Sequence, residues 1–400
     1  MFPSASNRLN GVSGVVSQIS RRTSASISSA FRDLANPPSQ TIAGLDALRS
    51  LAILLVFSDH YFFNYSRITQ SHLSLGAFPL FTFGWTGVDL FFVLSGYLIG
   101  AALLSELKRS STIDMPRFLL RRGLRIWPYY FFFILAMWLL INPTPISNYF
   151  PDLFFYSNYI EGYVPGGWSL STEEQFYIAI PIVLLLSVRF LNISRQWTIL
   201  ALAVVLLPLA RAITVAKLGP HSHEGMPRFI IYTPFHTHAD GLVAGLIIAW
   251  FSVVYPASVA GKSFLENCKV PLLLVAAGIL LRHASQDLFA FTALAAIYGG
   301  CALFAIRDRS ILSKLFSSRL FYWISRLSYA IYLNHLIVLY KVCPAMLRAA
   351  NPEHFVYLKF ALCYVALFAM SMAIALVTFV LVESPFLQLR ERLLAKRSSR

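Results

Sequence analysis

Charged residues are scarce in this chain. Only 13% of its 400 residues are Asp, Glu, Lys or Arg, whereas soluble proteins carry about a quarter. Hydrophobic residues make up 57% of the chain, and its mean hydropathy is +0.63. This composition excludes an ordinary soluble domain. It predicts an all-α, polytopic membrane protein, a bundle of about ten transmembrane helices.

Acidic residues are fewer still, with 18 Asp and Glu against 33 Lys and Arg. Such an excess can indicate a nucleic-acid partner, but the cytoplasmic loops of membrane proteins also collect basic residues. We therefore predict no nucleic-acid binding. Because loop 143–171 has no Lys or Arg and most basic residues fall on the side of the two termini, we expect both ends in the cytoplasm and the body in the plasma (inner) membrane.

Cysteine is rare as well. The four cysteines form no CxxC pair, so their spacing supports neither a metal site nor a disulfide. We expect free, buried thiols.

The chain divides into one membrane domain with a short tail at each end. Residues 1–40 are rich in Ser and Arg, and Asp33 is their only acid. They predict a disordered cytoplasmic tail, although the composition also resembles a mitochondrial transit peptide. Residues 41–390 form the membrane domain, and residues 391–400 a basic cytoplasmic tail. The ten apolar segments lie at about 45–65, 79–104, 124–142, 172–190, 196–215, 234–255, 270–283, 287–306, 324–343 and 357–383.

The first apolar segment carries ionisable residues inside it. Arg49 lies near its start, and Asp59 and His60 lie well within it. Eleven residues separate Arg49 from His60, which on a helix is about 16 Å, half of a ~30 Å hydrocarbon core. An ionisable group at that depth normally faces a polar cavity or a partner and marks a functional path. The alternative is a structural histidine hydrogen-bonded between helices.

The second segment contains GVDLFFVLSGYLIG, residues 87–100. Its glycines, with Gly84 before it, are typical of close helix packing. Asp89 and Ser95 are polar residues in apolar surroundings, and an intramembrane carboxylate needs a partner.

An arginine cluster follows in RFLLRRGLRIWPYY, residues 117–130. Arg122 and Arg125 are three residues apart and share a helix face, whereas Arg121 points elsewhere. Guanidinium groups bind phosphate oxygens through planar, paired hydrogen bonds. The cluster therefore suits a phosphate-bearing ligand, or alternatively contacts lipid headgroups.

Two adjacent carboxylates end the loop in GGWSLSTEEQFY, residues 166–177. Ser171 and Glu174 have the spacing of a capping box at a helix start, which accounts for one of the two acids. Glu173 and Glu174 are also acid–base candidates, and Trp168 in the same motif is a candidate for substrate binding.

A histidine-rich stretch precedes the sixth segment. His236, His238 and Asp240 are spaced like a metal site, but residues two apart on a helix point away from each other. We predict no metal, with Asp240 in a polar cavity. In the ninth segment His335 is predicted to be buried, as a cavity group or in packing. The sequence ESP at residues 383–385 predicts the end of the tenth segment.

Together these motifs resemble the acyltransferase 3 family of integral membrane acyltransferases, which O-acylate cell-surface sugars, lipid-linked saccharides and some small molecules. The resemblance runs from about residue 41 to 390. It is carried by LDALRSLAILLVFSDH, GVDLFFVLSGYLIG, RRGLRIWPYY, GGWSLSTEEQFY, LSYAIYLNH and ESPF. One position departs from the family pattern, because members commonly have Arg before the Ala-Asp of the sixth segment and this chain has His238.

The resemblance implies a ten-helix bundle, an essential histidine at His60, and handling of the donor by Arg122 and Arg125. The donor would be acyl-CoA, and acetyl-CoA is the expected form. It would act as a co-substrate, and no cofactor would be permanently bound. The acceptor would be a saccharide, a glycolipid or a small molecule, and membrane lipid would surround the protein.

These expectations combine into a mechanistic hypothesis. His60 acts as general base on the acceptor hydroxyl, with a transient acyl-histidine as an open variant. Arg49, and with it the arginine cluster, holds coenzyme A phosphates near the inner face. The two glutamates bind acceptor hydroxyls or relay protons on the other side. The remaining candidates for substrate binding are Asp89, Ser95, Trp168, Asp240 and His335.

Two other classes of function compete with this hypothesis. A transporter or flippase of a lipid-linked saccharide would also need buried His, Asp and Arg residues, but not the arginine face at the inner surface. Binding of acetyl-CoA separates the two. A purely structural subunit is the third class, and the number of intramembrane ionisable residues argues against it.

Overall fold

In a computed structural model the chain is described over residues 42–70, 79–218, 228–256, 264–284, 288–307, 318–349 and 356–398, and within these ranges it is helical with no strand. The predicted tail at residues 1–40 lies outside them. We number the long helices α1 (Ala43–Thr69), α2 (Gly87–Ser110), α3 (Met115–Ala136), α4 (Gly167–Ser187), α5 (Trp197–Leu218), α6 (Asp240–Val254), α7 (Phe264–Ala284), α8 (Ala290–Arg307), α9 (Arg319–Lys341), α10 (Val356–Thr378) and α11 (Ser384–Ser398).

Each of the ten predicted apolar segments coincides with one of the helices α1 to α10. Fewer of them qualify as membrane spans: six helices in the described residues are long and apolar enough to cross a membrane, or seven if α9 and the bent helix Cys343–Ala349 form one span. The protein is thus an all-helical integral membrane protein, but the predicted count of ten spans is not confirmed.

Four of the ten helices, α1, α6, α7 and α9, are not among the six spans, and two of them show the physical reasons. Helix α6 has 15 residues, which make about 22 Å of helix, shorter than a hydrocarbon core of about 30 Å. Helix α1 has ample length, at 27 residues, but its charged residues lower its hydropathy, and it is not among the six. Arg49, Asp59 and His60 are half-buried, and such ionisable groups need polar surroundings inside the bundle.

Helix α2 packs tightly against both α1 and α6. Its face toward α6 contains Gly96, which approaches Gly245 so closely that a methyl group on either residue would collide with backbone atoms of the other helix. Gly87 approaches the backbone of Ala52 in α1 in the same way. Small residues allow this contact because helices in lipid associate through close packing. The predicted packing role of the glycines in this segment is confirmed.

Helix α1 also packs against α9 and α10 through a layer of aromatic rings. The ring of Phe57 meets those of Tyr364 and Phe368 edge to face, with centroids 5.2 and 5.1 Å apart. Tyr61 donates a hydrogen bond to the carbonyl oxygen of Phe360. Such edge-to-face pairs add to packing beyond the area they bury. This layer fixes the rotation of α1, so that the face carrying His60 turns toward α9.

The C-terminal end of α10 does not stop at the ESP motif. A π turn over Phe379–Glu383 connects α10 to α11, which continues through Pro385 to Ser398. The predicted helix end is therefore wrong. A π turn widens the helix by one residue, which accommodates the proline that cannot donate an N–H bond, and it turns the buried Glu383 toward the interior of the bundle.

Candidate active site

The first of two central cavities is rich in arginine. It has a volume of about 300 Å³, and its walls come from α1, α2, α3, α4, α9 and α11 with the π turn. Four guanidinium groups line it, those of Arg49, Arg122, Arg125 and Arg326. We call it the arginine cavity. Four cations around a cavity of this size create a strong site for an anionic ligand.

The arginine cavity also holds acidic and hydroxyl groups. Glu173 accepts a hydrogen bond of 2.8 Å from the Tyr177 hydroxyl, and Ser95 Oγ lies 2.8 Å from the same hydroxyl. The guanidinium of Arg122 lies 5.7 Å from the centre of the Tyr177 ring, a cation–π distance. Glu383 lines the cavity near Arg125 and Arg326. The two carboxyl groups lie close enough to the guanidiniums to offset part of the positive charge.

A smaller basic cavity of about 150 Å³ adjoins the arginine cavity. Arg122 and Arg125 line both of them. Arg121 lines only the smaller cavity, with Arg117 and Arg390. Arg121 thus lies beside the central arginines and outside the cavity that they form.

The second central cavity contains two histidines. It has a volume of about 400 Å³ and is lined by His60 and His335, with Asp59 and Trp168 among its other walls. The Nε2 atom of His335 lies 3.1 Å from the Nδ1 atom of His60, a hydrogen-bond distance. We call it the histidine cavity. The residues that sequence reasoning placed eleven positions apart on α1, Arg49 and His60, thus lie in different cavities.

The two cavities are neighbours. Val88 and Tyr332 line both. The Tyr332 hydroxyl lies 2.6 Å from Ser169 Oγ and 3.1 Å from the carbonyl oxygen of Gly166. One tyrosine ring and one valine therefore form the boundary between the cationic site and the imidazole pair.

An irregular loop closes the far side of the histidine cavity. Glu161, Tyr163 and Gly166 belong to this wall. Asp152 holds the loop, because its Oδ2 accepts hydrogen bonds of 2.7 and 3.0 Å from the N–H groups of Tyr163 and Val164. Burial raises the pKa of Asp152 to about 6, although these two N–H groups favour the carboxylate. The shape of the wall thus depends on one buried carboxyl group.

Comparison with known proteins agrees with this architecture. A family model described as an acyltransferase domain matches residues 42–380. This chain belongs to the acyltransferase 3 family. The family match covers every helix that lines the two cavities except α11, which follows it. No solved structure shows a significant match to the chain.

The curated relatives of this acyltransferase 3 chain are larger proteins. The peptidoglycan O-acetyltransferase OatA of Listeria monocytogenes is 26% identical over 337 residues, which are 76% of this chain and 50% of the relative. The O-acetyltransferase OatA of Staphylococcus aureus is 27% identical over 326 residues, 74% of this chain and 50% of the relative. The chain spans about half the length of the curated relatives it matches.

The two adjacent glutamates of the acyltransferase motif separate in the structure. Glu173 lies in the arginine cavity, whereas the hypothesis expected it on the opposite side from the arginines. Glu174 is buried and accepts a 3.1 Å hydrogen bond from the Trp127 indole; it lines neither central cavity. Residues adjacent on a helix point about 100° apart, which accounts for the separation.

The predicted capping box in the same motif is wrong. Helix α4 begins at Gly167, four residues before Ser171, after Gly166 in the left-handed conformation with φ 76°. Glycine adopts this conformation without steric cost. Ser171 lies inside the helix, where its Oγ is 2.8 Å from Ser157 Oγ.

His238, the position where this chain departs from the family pattern, forms a buried pair with Asp89. His238 Nε2 lies 2.8 Å from Asp89 Oδ1, and neither side chain reaches a central cavity. The His238 ring stacks on Phe291 with centroids 3.8 Å apart, and on Trp168 at 5.8 Å. Asp89 thus has the partner that sequence analysis required, and the pair supports Trp168 from behind.

Asp240 has a different buried partner. It forms a salt bridge with the fully buried Arg211, with the closest N–O distance at 2.6 Å. Arg211 also donates to the carbonyl oxygens of Leu288 and Thr237. Residues 236–239 form a turn before α6 and not a helix, so the helical argument about His236 and His238 does not apply there.

The structure therefore sorts the predicted site residues into three groups. Arg49, Arg122, Arg125, Glu173 and Ser95 share the arginine cavity, and His60, His335 and Trp168 share the histidine cavity. Arg121, Glu174, Asp89 and Asp240 line neither.

Sequence reasoning missed Arg326 and Tyr177 in the arginine cavity and the boundary position of Tyr332. Arg326 immediately precedes the motif LSYAIYLNH and Tyr332 lies within it. Arg326, Tyr329 and Tyr332 recur at intervals of three residues, and this helical spacing was the available signal.

Proposed function

We propose that this chain is a membrane O-acyltransferase. It moves an acyl group, acetyl in the simplest case, from acyl-CoA in the arginine cavity to a hydroxyl group of a saccharide in the histidine cavity. The observation that carries the proposal is the shared boundary at Val88 and Tyr332, which makes the cavity with four arginines a neighbour of the cavity with two imidazoles. The family, and relatives whose names describe O-acetyltransferases, support the same chemistry.

The donor end of the proposal rests on charge. Coenzyme A is a polyanion whose phosphates suit the paired hydrogen bonds of guanidinium groups. Arg122 and Arg125 line both the arginine cavity and the smaller basic cavity beside it, which gives space for phosphates in one and for the pantetheine arm in the other. The distribution of basic residues favours an orientation in which the arginine cavity and both termini face the cytoplasm. The membrane in this proposal is the plasma (inner) membrane.

The chemical step needs a base at the acceptor hydroxyl. In this mechanism His60 takes the hydroxyl proton as the acceptor oxygen attacks the thioester carbonyl carbon. The carbon–sulfur bond breaks, the new ester carries the acyl group, and the imidazolium of His60 returns the proton to the leaving thiolate. No further reactant is needed, and the products are the acylated acceptor and free coenzyme A.

The acceptor end rests on the walls of the histidine cavity. Trp85, Trp168 and Tyr232 line it, and the rings of Trp168 and Tyr232 lie 4.8 Å apart. Aromatic rings pack against the apolar faces of sugar rings, and nearby polar groups fix orientation. A saccharide is therefore the favoured acceptor class, either free, polymeric or on a lipid carrier, ahead of an unrelated small molecule.

Labelled donor tests the proposal directly. Membranes containing the protein are incubated with radiolabelled acetyl-CoA, and label is followed into the saccharide fraction. His60→Ala is expected to abolish incorporation while donor binding persists. His236→Ala is the matched control, because His236 is exposed and lines neither central cavity. Full incorporation by the His60 variant would refute the assignment of the base.

The transporter hypothesis predicts different experimental results. A flippase would move a lipid-linked saccharide in the absence of donor, and purified protein would not bind acetyl-CoA. Absence of binding to the wild type, with the arginine cavity intact, would favour transport over acyl transfer.

A further inference from the structure

His335 occupies a position beside His60 that the reaction scheme above does not use. It lies on α9 and is 1% exposed. Its Nε2 faces His60 Nδ1 at 3.1 Å, and the two ring centroids are 5.1 Å apart. A hydrogen bond between two imidazoles requires that one ring donates and the other accepts. The direction of that bond fixes which nitrogen of His60 holds a proton.

The other nitrogen of His335 settles the direction. His335 Nδ1 lies 2.6 Å from the carbonyl oxygen of Tyr332 and 3.1 Å from that of Ile331. Carbonyl oxygens only accept, so Nδ1 carries the hydrogen. A neutral imidazole has one N–H group, which leaves Nε2 of His335 as an acceptor. His60 must then donate from Nδ1, and its Nε2 carries the lone pair.

A charged His335 would reverse this assignment, but its surroundings oppose the charge. The ring packs against Phe57 and Tyr332 with centroids 6.3 and 5.8 Å away. Burying an ionised group among such neighbours is costly unless an opposite charge pairs with it. The ionisable groups that face the histidine cavity with the pair are Asp59, Glu161, Tyr163, Tyr232, Tyr332 and Tyr340. The hydrogen bonds recorded for the His335 ring go to the two carbonyls and to His60.

We propose that His335 is a positioning residue that holds His60 in the tautomer with Nδ1 protonated and Nε2 basic. The inference rests on the proposed function, in which His60 is the base. The arrangement has the logic of a catalytic triad, in which a third group orients the histidine. Here the third group is a neutral imidazole on another helix.

The arrangement also fits each stage of the reaction. When Nε2 of His60 takes the acceptor proton, the resulting imidazolium keeps its Nδ1–H bond to His335. When the proton passes to the thiolate, His60 returns to the same tautomer. His335 exchanges no proton with substrate at any stage, so its removal is expected to lower kcat more than to raise KM.

The tautomer is measurable without turnover. Nitrogen NMR of protein labelled at histidine separates protonated from unprotonated ring nitrogens, and a His60→Gln sample identifies the His60 signals among the nine histidines. In the wild type at pH above 7 we expect a protonated Nδ1 and an unprotonated Nε2 at His60. A protonated Nε2 in the wild type would overturn the inference, and no variant is needed for that result.

Variants at His335 then test its role. His335→Leu removes the acceptor, so His60 is expected to populate both tautomers. We expect kcat to fall by about 10- to 100-fold, less than the roughly 10²- to 10⁴-fold that a general base contributes when it is lost altogether. His335→Gln offers an amide oxygen as acceptor and is expected to restore the tautomer and most of kcat. Asn334→Leu, also buried on α9, controls for loss of packing and is expected to leave the His60 signals unchanged.

The results distinguish failure of this inference from failure of the proposed function. If His60 keeps its tautomer in His335→Leu, the positioning role of His335 is refuted, whatever the activity of that variant. Full acyl transfer by His60→Ala would refute the role of His60 as base. The tautomer of His60 measured in the wild type would still be valid as a structural observation.

Discussion

The Tyr332 hydroxyl lies 2.6 Å from Ser169 Oγ and holds the tyrosine ring between the two central cavities. Ser169 belongs to the first turn of α4 and Tyr332 to α9, so the contact joins two helices at the cavity boundary. In the proposed reaction the thioester carbonyl must pass this ring to reach His60. The boundary therefore controls transfer separately from binding.

Added bulk at the boundary should block transfer without blocking donor binding. Val88→Phe adds a ring at a position that lines both cavities. We expect acyl transfer to fall by roughly tenfold or more because reacting groups must come within about 3.5 Å. Calorimetry with acetyl-CoA should show nearly unchanged affinity. Leu206→Phe on the exposed face of α5 controls for the extra ring, and an equal loss of binding and transfer in Val88→Phe would contradict the boundary role.

Loss of a guanidinium from the arginine cavity should weaken the donor. Arg122→Gln removes one charged partner, worth about 1.5–3 kcal/mol when a hydrogen bond to a charged group is lost, so we expect roughly tenfold or greater weakening of acetyl-CoA binding. Arg109→Gln lies at the exposed end of α2, outside the cavities, and should bind normally. Equal affinity of both variants would remove the arginine cavity from the donor site.

Asp240 is expected to affect stability and not substrate recognition. Asp240→Ala leaves the Arg211 guanidinium buried without its carboxylate, a change that typically costs about 3–5 kcal/mol. Thermal unfolding in detergent should show a clear fall. A double variant, Arg211→Leu with Asp240→Leu, should recover part of the loss because no unpaired charge remains. A raised KM for the acceptor with unchanged stability would instead support the predicted substrate role of Asp240.

Asp152 makes the stability of the cavity wall depend on pH. Its pKa is about 6 in the fold and about 3.9 in an unfolded chain. Between these values the folded protein binds the proton more tightly, so the free energy of unfolding falls as pH rises from about 4 to 6 and is lowest above pH 6. The loss is on the order of 3 kcal/mol at most.

Asp152→Asn tests this pH dependence. Its amide oxygen still accepts from the N–H groups of Tyr163 and Val164, but it does not titrate. We expect the difference in thermal midpoint between wild type and this variant to change between pH 4.5 and 7, with the wild type losing more. Asp152→Ala should lose stability at every pH. Parallel curves for wild type and the Asn variant would contradict the assignment.

The helical architecture was largely predictable because hydrophobic segments long enough for lipid are read directly from the sequence. The exceptions are instructive. Arg49 and Asp59 lower the mean hydropathy of α1, so a hydropathy count does not identify it as a membrane span. The surrounding helices provide the polar environment that these two residues need. The end of α10 depends on a π turn before Pro385, and the sequence does not distinguish that turn from a helix stop.

Several residues that line the two cavities were predictable from the sequence, but their grouping was not. His60 and the pair Arg122 and Arg125 follow from residue type and helical spacing. The partnership of His60 with His335 joins positions 275 residues apart, and no local pattern encodes it. The same is true of Glu173, which faces the arginines because the rotation of α4 is set by packing and by the left-handed Gly166.

None of the four arginines of the arginine cavity lines the histidine cavity. On the proposed function, they would bind the charged part of the donor and not its acyl group. On the proposed function, the spent carrier then keeps every ionic contact that the loaded carrier had. Coenzyme A released after transfer would compete with acyl-CoA for the arginine cavity. The ratio of coenzyme A to acyl-CoA in the cell, and the rate at which acyl-CoA replaces coenzyme A, would therefore limit the reaction rate more than acyl transfer itself.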